Sequence, residues 1–325
     1  MSSTDTTPET PAFARPETEG RWLRPSPDAP AEPRWGHPDG LQVGLHPIPG
    51  PRGLLRIFTP YLGHSRDRLV NFVAIEPIPA GATERGYSEL EPSSLDPGER
   101  GKRFWSADTL DDTAPRDPSH PARGVVETVD GVEHLRVFVL SERFDNGTSV
   151  AVRLSFRADR PHEVGLASFA LPGSVDLDFC VLSATMGNFA RLRRLQLAGR
   201  VATPAELWPD FGGVHFTEHA AFSLDELPRN DAGEVAVSAT TDEPDPVAAV
   251  YADDVAEHWK YVGERATQTW IAADPDPRLQ VLVNARGAYW ASTSTIPGGA
   301  SFENFELKEP YREGRETRFR IEPVG

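Results

Sequence analysis

Five residues have the type and setting for acid–base work on an oxygen-rich substrate: Glu76, Asp210, His215, His219 and Glu303. Cleavage of a glycosidic bond commonly uses two carboxyl groups flanking the scissile oxygen, one protonated and one ionised. Glu76 fits the protonated partner if strand alternation puts it on one face with Phe72 and Ala74, where burial would raise its pKa; next to Pro77, a strand end in water is the plain alternative. By the same alternation Glu303 shares a face with Phe305 and Leu307, whereas Glu306 falls opposite with Asn304. Asp210 follows Trp208-Pro209 and is a third carboxyl candidate. His215-Phe-Thr-Glu218-His219 has the H-x-x-E-H spelling of one class of zinc peptidases, a spacing that works on a helix. Gly212-Gly213 precede it and no amphipathic helix surrounds it, so a peptidase metal site is not expected. In a strand the two histidines still share a face, which suits a base beside a substrate contact, and ordinary surface histidines stand as the plain alternative.

A second set could hold the substrate. Arg191 and Arg193 lie on one face if their segment is a strand, and paired guanidinium groups can grip a carboxylate or sugar hydroxyls. They could equally answer part of the chain's excess of carboxylates. Asn188, in a Gly-Asn corner beside them, could orient a substrate oxygen or simply make the turn. Trp208, Tyr289 and Trp290, with Trp105, Trp259 and Tyr261, offer ring faces of the kind that stack on the apolar side of a pyranose. The acidic pairs Asp242-Glu243, Asp253-Asp254 and Asp274-Pro-Asp276 could pin loops through a structural calcium ion, and no other cofactor is implied.

The totals exclude several classes. Forty-nine acidic against 33 basic residues leave a net charge of -16, which repels nucleic acid and anionic membrane surfaces. A single cysteine, Cys180, removes internal disulfides and cysteine-rich zinc sites. The sequence lacks G-x-S-x-G, G-K-[ST] and a glycine-rich nucleotide loop, which counts against the familiar serine hydrolases, kinases and dinucleotide enzymes. The start, Met1-Ser-Ser-Thr-Asp-Thr-Thr-Pro, has no apolar signal segment, and a cytoplasmic location without a membrane partner is expected. Nothing in the sequence argues against a homo-oligomer.

The elements that must position these residues read as strands. Residues 1–40 hold eight of the 31 prolines and predict a poorly ordered tail, or a strap lying across the domain through Trp22 and Trp35. From Leu41 onward, short runs rich in β-branched and aromatic residues alternate with turns, as in Gly53–Thr59 and Leu69–Ile78. Two runs within 124–140 are joined by Asp130-Gly131, which suits a tight type I′ hairpin, and a second hairpin follows at Asp145-Asn146-Gly147. In 149–157, Val150, Val152, Leu154 and Phe156 define one apolar face. Further strands are expected at 162–171, 177–185, 234–240, 266–272, 279–284, 287–292, 302–307 and 317–321, and the 188–199 stretch favours strand over helix. The prediction is an all-β fold: one large antiparallel β-sandwich over 41–325, of jelly-roll, concanavalin-like or related type, with few short helices. Two long loops, 86–123 and 242–262, are the natural places for function.

The phrases Gly50-Pro-Arg-Gly-Leu-Leu-Arg-Ile-Phe-Thr-Pro-Tyr-Leu-Gly63, Asn71-Phe-Val-Ala-Ile-Glu-Pro77 and Ile296–Leu307 resemble a family of bacterial proteins without an assigned reaction. Phe302-Glu-Asn-Phe-Glu-Leu307 is also similar to the last strand of concanavalin-like jelly rolls, a fold frequent among glycoside hydrolases and polysaccharide lyases. The expected function is a carbohydrate-active enzyme with a carbohydrate ligand. Hydrolysis would use Glu76 or Glu303 with Asp210. A β-eliminating lyase would use His215, His219 or Tyr289 as base, with Arg191 and Arg193 on a uronate carboxylate. A non-catalytic sugar-binding protein is the third reading.

Overall fold

The computed structural model describes residues 13–63, 69–185 and 189–324. Among the described residues twenty strands form two antiparallel sheets. The chain opens with a meander of β1 (Glu17–Glu19), β2 (Trp22–Arg24), β3 (Arg34–Gly36), β4 (Gln42–Gly44), β5 (Leu54–Phe58) and β6 (Leu69–Pro79). It crosses to a second meander of β7 (Phe104–Ala107), β8 (Val125–Val129), β9 (Val132–Ser141), β10 (Val150–Arg157) and β11 (Glu163–Ala170). Then β12 (Leu177–Thr185) returns to β6. Next come β13 (Leu192–Leu197), β14 (Arg200–Ala202), the single α-helical turn α1 (Pro204–Leu207) and β15 (Ala220–Ser223). The chain closes with β16 (Val235–Thr241), β17 (Ala266–Ala272), β18 (Gln280–Arg286), β19 (Ser301–Lys308) and β20 (Glu316–Pro323). The first sheet runs β1-β2-β3-β4-β5-β6-β12-β19-β18-β15, and the second β14-β13-β16-β17-β20-β11-β10-β9-β7, with β8 also on β9. Among the described residues no helix is long and apolar enough to cross a membrane.

The expected β-sandwich is present, and alternation explains its core. Val73 and Ile75 of β6, Val281 and Val283 of β18, and Phe305 and Leu307 of β19 meet Val137, Val139, Val152, Leu154, Phe319 and Ile321 of the second sheet in one apolar cluster. The inward face read in 149–157 is buried throughout, at Val150, Val152, Leu154 and Phe156. Two polar links tie the layers: Trp270 Nε1 donates to the Phe305 carbonyl at 2.8 Å, and Asn71 Nδ2 donates to Gln268 Oε1 at 2.5 Å. The Asp130-Gly131 hairpin forms with φ of 50° and 78°, the paired positive angles of a type I′ turn.

Three segments differ from expectation. Residues 13–40, expected as a poorly ordered tail or strap, supply β1 to β3 and extend the first sheet. Trp22 and Trp35 are buried, and their indole nitrogens donate to Glu133 Oε1 (2.6 Å) and the Ala122 carbonyl (3.0 Å). Burying an indole contributes about 3 kcal/mol, enough to order two or three backbone residues at about 1–2 kcal/mol each, which composition alone does not reveal. Residues 287–292, expected as a strand, form a turn: Ala291 has φ of 52°, and Tyr289 N–H bonds to the Ser294 carbonyl. Finally, the long loop 86–123 contains β7.

Gly53 decides how that loop lies. Its φ is +69°, and a β-carbon there would stand 1.9 Å from the Ser88 carbonyl oxygen. The backbone can therefore come close enough for Ser88 to accept and donate on both sides. Ser88 Oγ takes the Ile75 N–H at 2.9 Å and donates to the Gly53 carbonyl at 2.6 Å. A Gly53→Ala variant is expected to lose about 2 kcal/mol or more of stability and to become cleavable within 80–103 by limited proteolysis. An unchanged denaturation midpoint with an uncut loop would refute this packing role.

Candidate functional site

The face of the first sheet turned away from the core is where carboxyl groups gather. On β6, Glu76 sits opposite Val181 of β12; two residues on, Ser183 of β12 sits opposite Glu306 of β19. Both glutamates are buried, Glu306 completely. Burial is possible because the loop after β6 folds back over them, with Gly86 and Ser88 donating N–H groups to the Pro77 and Ile75 carbonyls. The loop thereby continues along the edge of β6 past the end of its pairing with β5. It delivers Arg85, whose Nη1 donates to Glu76 Oε2 at 2.5 Å and to Glu306 Oε2 at 2.7 Å. One guanidinium thus stands between two buried carboxyl groups. Burial pushes Glu76 well above the usual carboxylate range, the charges of Glu306 and Glu89 add to that, and Arg85 opposes it. Burial also pulls Arg85 down, but the two carboxyl groups more than offset this and raise it overall.

His219 completes the arrangement. It precedes β15, the edge strand, and reaches across β18 to place Nε2 3.1 Å from Glu306 Oε1. Its side chain is 36 % exposed, against 0 % for Glu306, so the imidazole is where the buried cluster meets solvent. In the tautomer that carries its hydrogen on Nε2, His219 donates to the Glu306 carboxyl and Nδ1 is the acceptor nitrogen. Tyr87 lies within electrostatic reach of Glu76, Arg85 and Glu306; burial is the first cause of its raised pKa, and the phenol keeps its proton.

A second group adjoins on the same face. The pairing of β18 with β19 shifts between Val283 and Ala285, whose partners Phe305 and Phe302 are three residues apart. This bulge puts an extra residue on β19, so Phe302 and Phe305 both reach the main core. Glu303 therefore does not share the face of Phe305 and Leu307, as strict alternation predicts, but turns outward with Glu306, beside Arg286. Glu303 is fully buried, neither carboxyl oxygen has a hydrogen-bond partner among the described residues, and burial, opposed by Arg286, pushes its pKa up to about 8. Arg286 lies over Phe216 at 4.8 Å and over Trp290 at 5.7 Å, and Arg100 lies on Trp290 at 5.5 Å. Glu89 is pushed up to about 7 by burial, against its own backbone hydrogen bond and Arg100.

Comparison with protein-family models, curated proteins and solved structures found no match for this chain. The site therefore rests on its own geometry.

The remaining expected residues fall elsewhere. Arg191 and Arg193 do converge on a carboxylate, but it is the chain's own. Arg191 Nε donates to Glu243 Oε2 at 2.9 Å and Arg193 Nη1 to Glu243 Oε1 at 3.0 Å. Arg193 Nη1 also donates to Asp242, and the remaining nitrogens donate to the Tyr251 hydroxyl and the carbonyls of Pro246, Pro297, Gly299 and Ala300. Every guanidinium nitrogen of the pair is engaged, which leaves these arginines as ties between loops. Tyr289 is buried and stacked on Trp259 at 5.2 Å. Trp208 packs edge-on to Phe302 at 6.3 Å, against the core. Asp210 and His215 are exposed in the loop after α1, and among the described residues neither bonds to the Glu76–Glu306 cluster. Asn188 lies outside the described residues. Of the acidic pairs, Asp242-Glu243 is taken by Arg191 and Arg193, and Asp276 by Arg278 and Arg312. No group of three His, Cys, Asp or Glu among the described residues is arranged to hold a metal ion.

Arg85, Tyr87, Arg286 and Glu306 were not anticipated. The long loop read at 86–123 contains Tyr87 and stops one residue short of Arg85, and nothing in the sequence marks the bulge that brings Glu303 and Glu306 to one face.

Unfolded Glu303 ionises near its ordinary 4.5, but in the fold near 8. Between those values the folded chain keeps a proton that the unfolded chain has lost, so this group's contribution to stability falls as pH rises through that window and levels off above it. Glu303→Gln removes the loss and should gain on the order of 4 kcal/mol more at about pH 9 than at about pH 4 in denaturant unfolding. The same change at both pH values would show that Glu303 is not held protonated.

Proposed function

We propose that this protein is a carbohydrate-active enzyme that cleaves a glycosidic bond by β-elimination in a uronate-containing glycan, with His219 as the base. The single supporting observation is the exposed His219 imidazole held 3.1 Å from a buried Glu306 that Arg85 in turn fixes. A base must have one nitrogen free and its orientation set by the other, and this chain of contacts supplies both. His219 Nδ1 takes the proton from C5 of the uronate ring, and that C–H electron pair becomes the C4=C5 double bond. The C4–O bond breaks, and the departing oxygen takes the Tyr87 hydroxyl proton, which solvent later restores. Trp290, half-buried beside Arg100 and Arg286, and the exposed ring of Phe216 offer apolar faces for pyranose rings.

Hydrolysis by paired carboxyl groups is the less favoured reading. It needs two carboxyl groups open to the scissile oxygen, whereas Glu76 and Glu306 are both shielded and share one guanidinium. Asp210, the expected partner, is not in the cluster.

The test is a panel of pectate-, alginate- and glucuronan-type polymers followed in the near ultraviolet, where the conjugated product absorbs. Turnover is expected on at least one, with His219→Ala lowering kcat about 10²–10⁴-fold while the fold is unchanged by circular dichroism. New reducing ends without absorbance would sink elimination in favour of hydrolysis. Binding without any turnover would leave a sugar-binding protein.

A further inference from the structure

We infer that Arg286 and Glu303 form a subsite for the carboxylate of an acidic sugar ring, covered in the unliganded chain by the loop Phe211–Glu218. The inference rests on the elimination reading given above and names how that reaction's substrate is held.

Arg286 is underused where it lies. It is 7 % exposed, yet its Nε and Nη2 share one acceptor, the Val214 carbonyl, at 3.3 and 3.1 Å, and its Nη1 has no partner among the described residues. Five N–H donors thus face a single neutral oxygen, and a buried donor without a partner costs about 1–3 kcal/mol. Glu303 would be the obvious counterion, but neither of its oxygens bonds to Arg286. Among the described residues Arg286 is the charged group whose field reaches Glu303. Burial keeps Glu303 protonated at neutral pH, as its raised pKa indicates. A protonated carboxyl donates one hydrogen bond, and a guanidinium fork donates two in parallel. Together their donors match an anion with two coplanar oxygens and reject a cation. Ser301, directly opposite Arg286 in the strand pairing, adds a fully buried hydroxyl with no partner, suited to a ring hydroxyl.

The cover can be displaced without unfolding the sheet. Thr217 is fixed, its N–H on the Ala285 carbonyl at 2.9 Å and its Oγ1 accepting the Ala285 N–H at 2.8 Å. Upstream, residues 212–216 are exposed, and Gly212 has open space where a β-carbon would be. The upstream loop meets Arg286 through the Val214 carbonyl and the Phe216 ring, and a carboxylate offers the guanidinium two oxygens and an opposite charge in place of one neutral acceptor. Phe216 moves with the loop and leaves the face of Arg286 open. Substrate geometry then agrees with the base. In a uronate, C5 bears both the carboxylate and the proton to be removed, so the carboxylate site must adjoin the base, and His219 lies two residues beyond Thr217 on the same sheet face.

The experiment titrates the His219→Ala protein, which binds without turnover, with oligogalacturonate, oligomannuronate and oligoglucuronate by calorimetry. Each is compared with its carboxyl-reduced, neutral counterpart. At least one acidic oligomer should bind about tenfold or more tightly than its neutral form, and Arg286→Gln should erase the difference. Affinity should fall as pH rises through about 8, where Glu303 loses its proton and adds a like charge. Adding Glu303→Gln, which keeps a donor but cannot ionise, should preserve binding and abolish the pH dependence. A destabilised fold would instead weaken acidic and neutral oligomers alike at every pH. Equal affinity for acidic and neutral oligomers, or pH dependence that survives Glu303→Gln, would overturn the subsite. Unsaturated product from an enzyme indifferent to Arg286 and Glu303 would overturn the subsite alone. Carboxylate-selective, pH-gated binding with no turnover in the wild type would support it and overturn the elimination reading alone.

Discussion

Two carboxyl groups buried on one face of a sheet repel each other and cost several kcal/mol to desolvate, and a single guanidinium makes their burial tolerable here. Arg85 reaches that position only because the loop after β6 lies along the strand edge, and the loop lies there only because Gly53 lets the Ser88 backbone approach. Sheet pairing, a left-handed glycine and one ion pair are therefore links of one chain that ends at the His219 imidazole. The Glu306 carboxyl is the joint: one oxygen is held by Arg85, the other meets His219. Whatever chemistry His219 performs, its orientation is set by groups that solvent does not reach.

The same physics separates the Arg191–Arg193 pair from Arg286. Arg191 and Arg193 have every nitrogen satisfied, by Glu243 above all, and they fasten loop 242–251 and the turn at 297–300 to the start of β13. Arg286 has one shared carbonyl and an orphaned nitrogen. A polar group whose hydrogen bonds are complete is accounted for by the fold, and one whose bonds are incomplete in a buried place calls for a further partner. Residue type alone could not make that distinction. Counting acceptors does.

Much of the fold was legible because it follows from local rules. Alternation in 149–157, the Asp130-Gly131 turn and the apolar runs at 177–185 and 266–272 are each decided by a few neighbouring residues. So was the burial of Glu76 beside Phe72 and Ala74. What escaped depends on distant partners: β1 to β3 are ordered by Trp22 on Glu133 and Trp35 on Ala122, more than 80 residues away. Arg85 and Glu306 are 221 positions apart. The misreading of Glu303 has the most specific cause, since a bulge has no consistent signature and changes the face of every residue on one side of it.

That bulge also sets which kinds of change the site can survive. Removing one residue from 303–304 would restore plain two-residue periodicity between Phe302 and Phe305. Both aromatic rings would stay in the core, two positions apart, but one of Glu303 and Asn304 would be lost and the other would stand outward alone. Chain length in this short span of β19 therefore decides whether one polar residue or two stand outward between the paired rings.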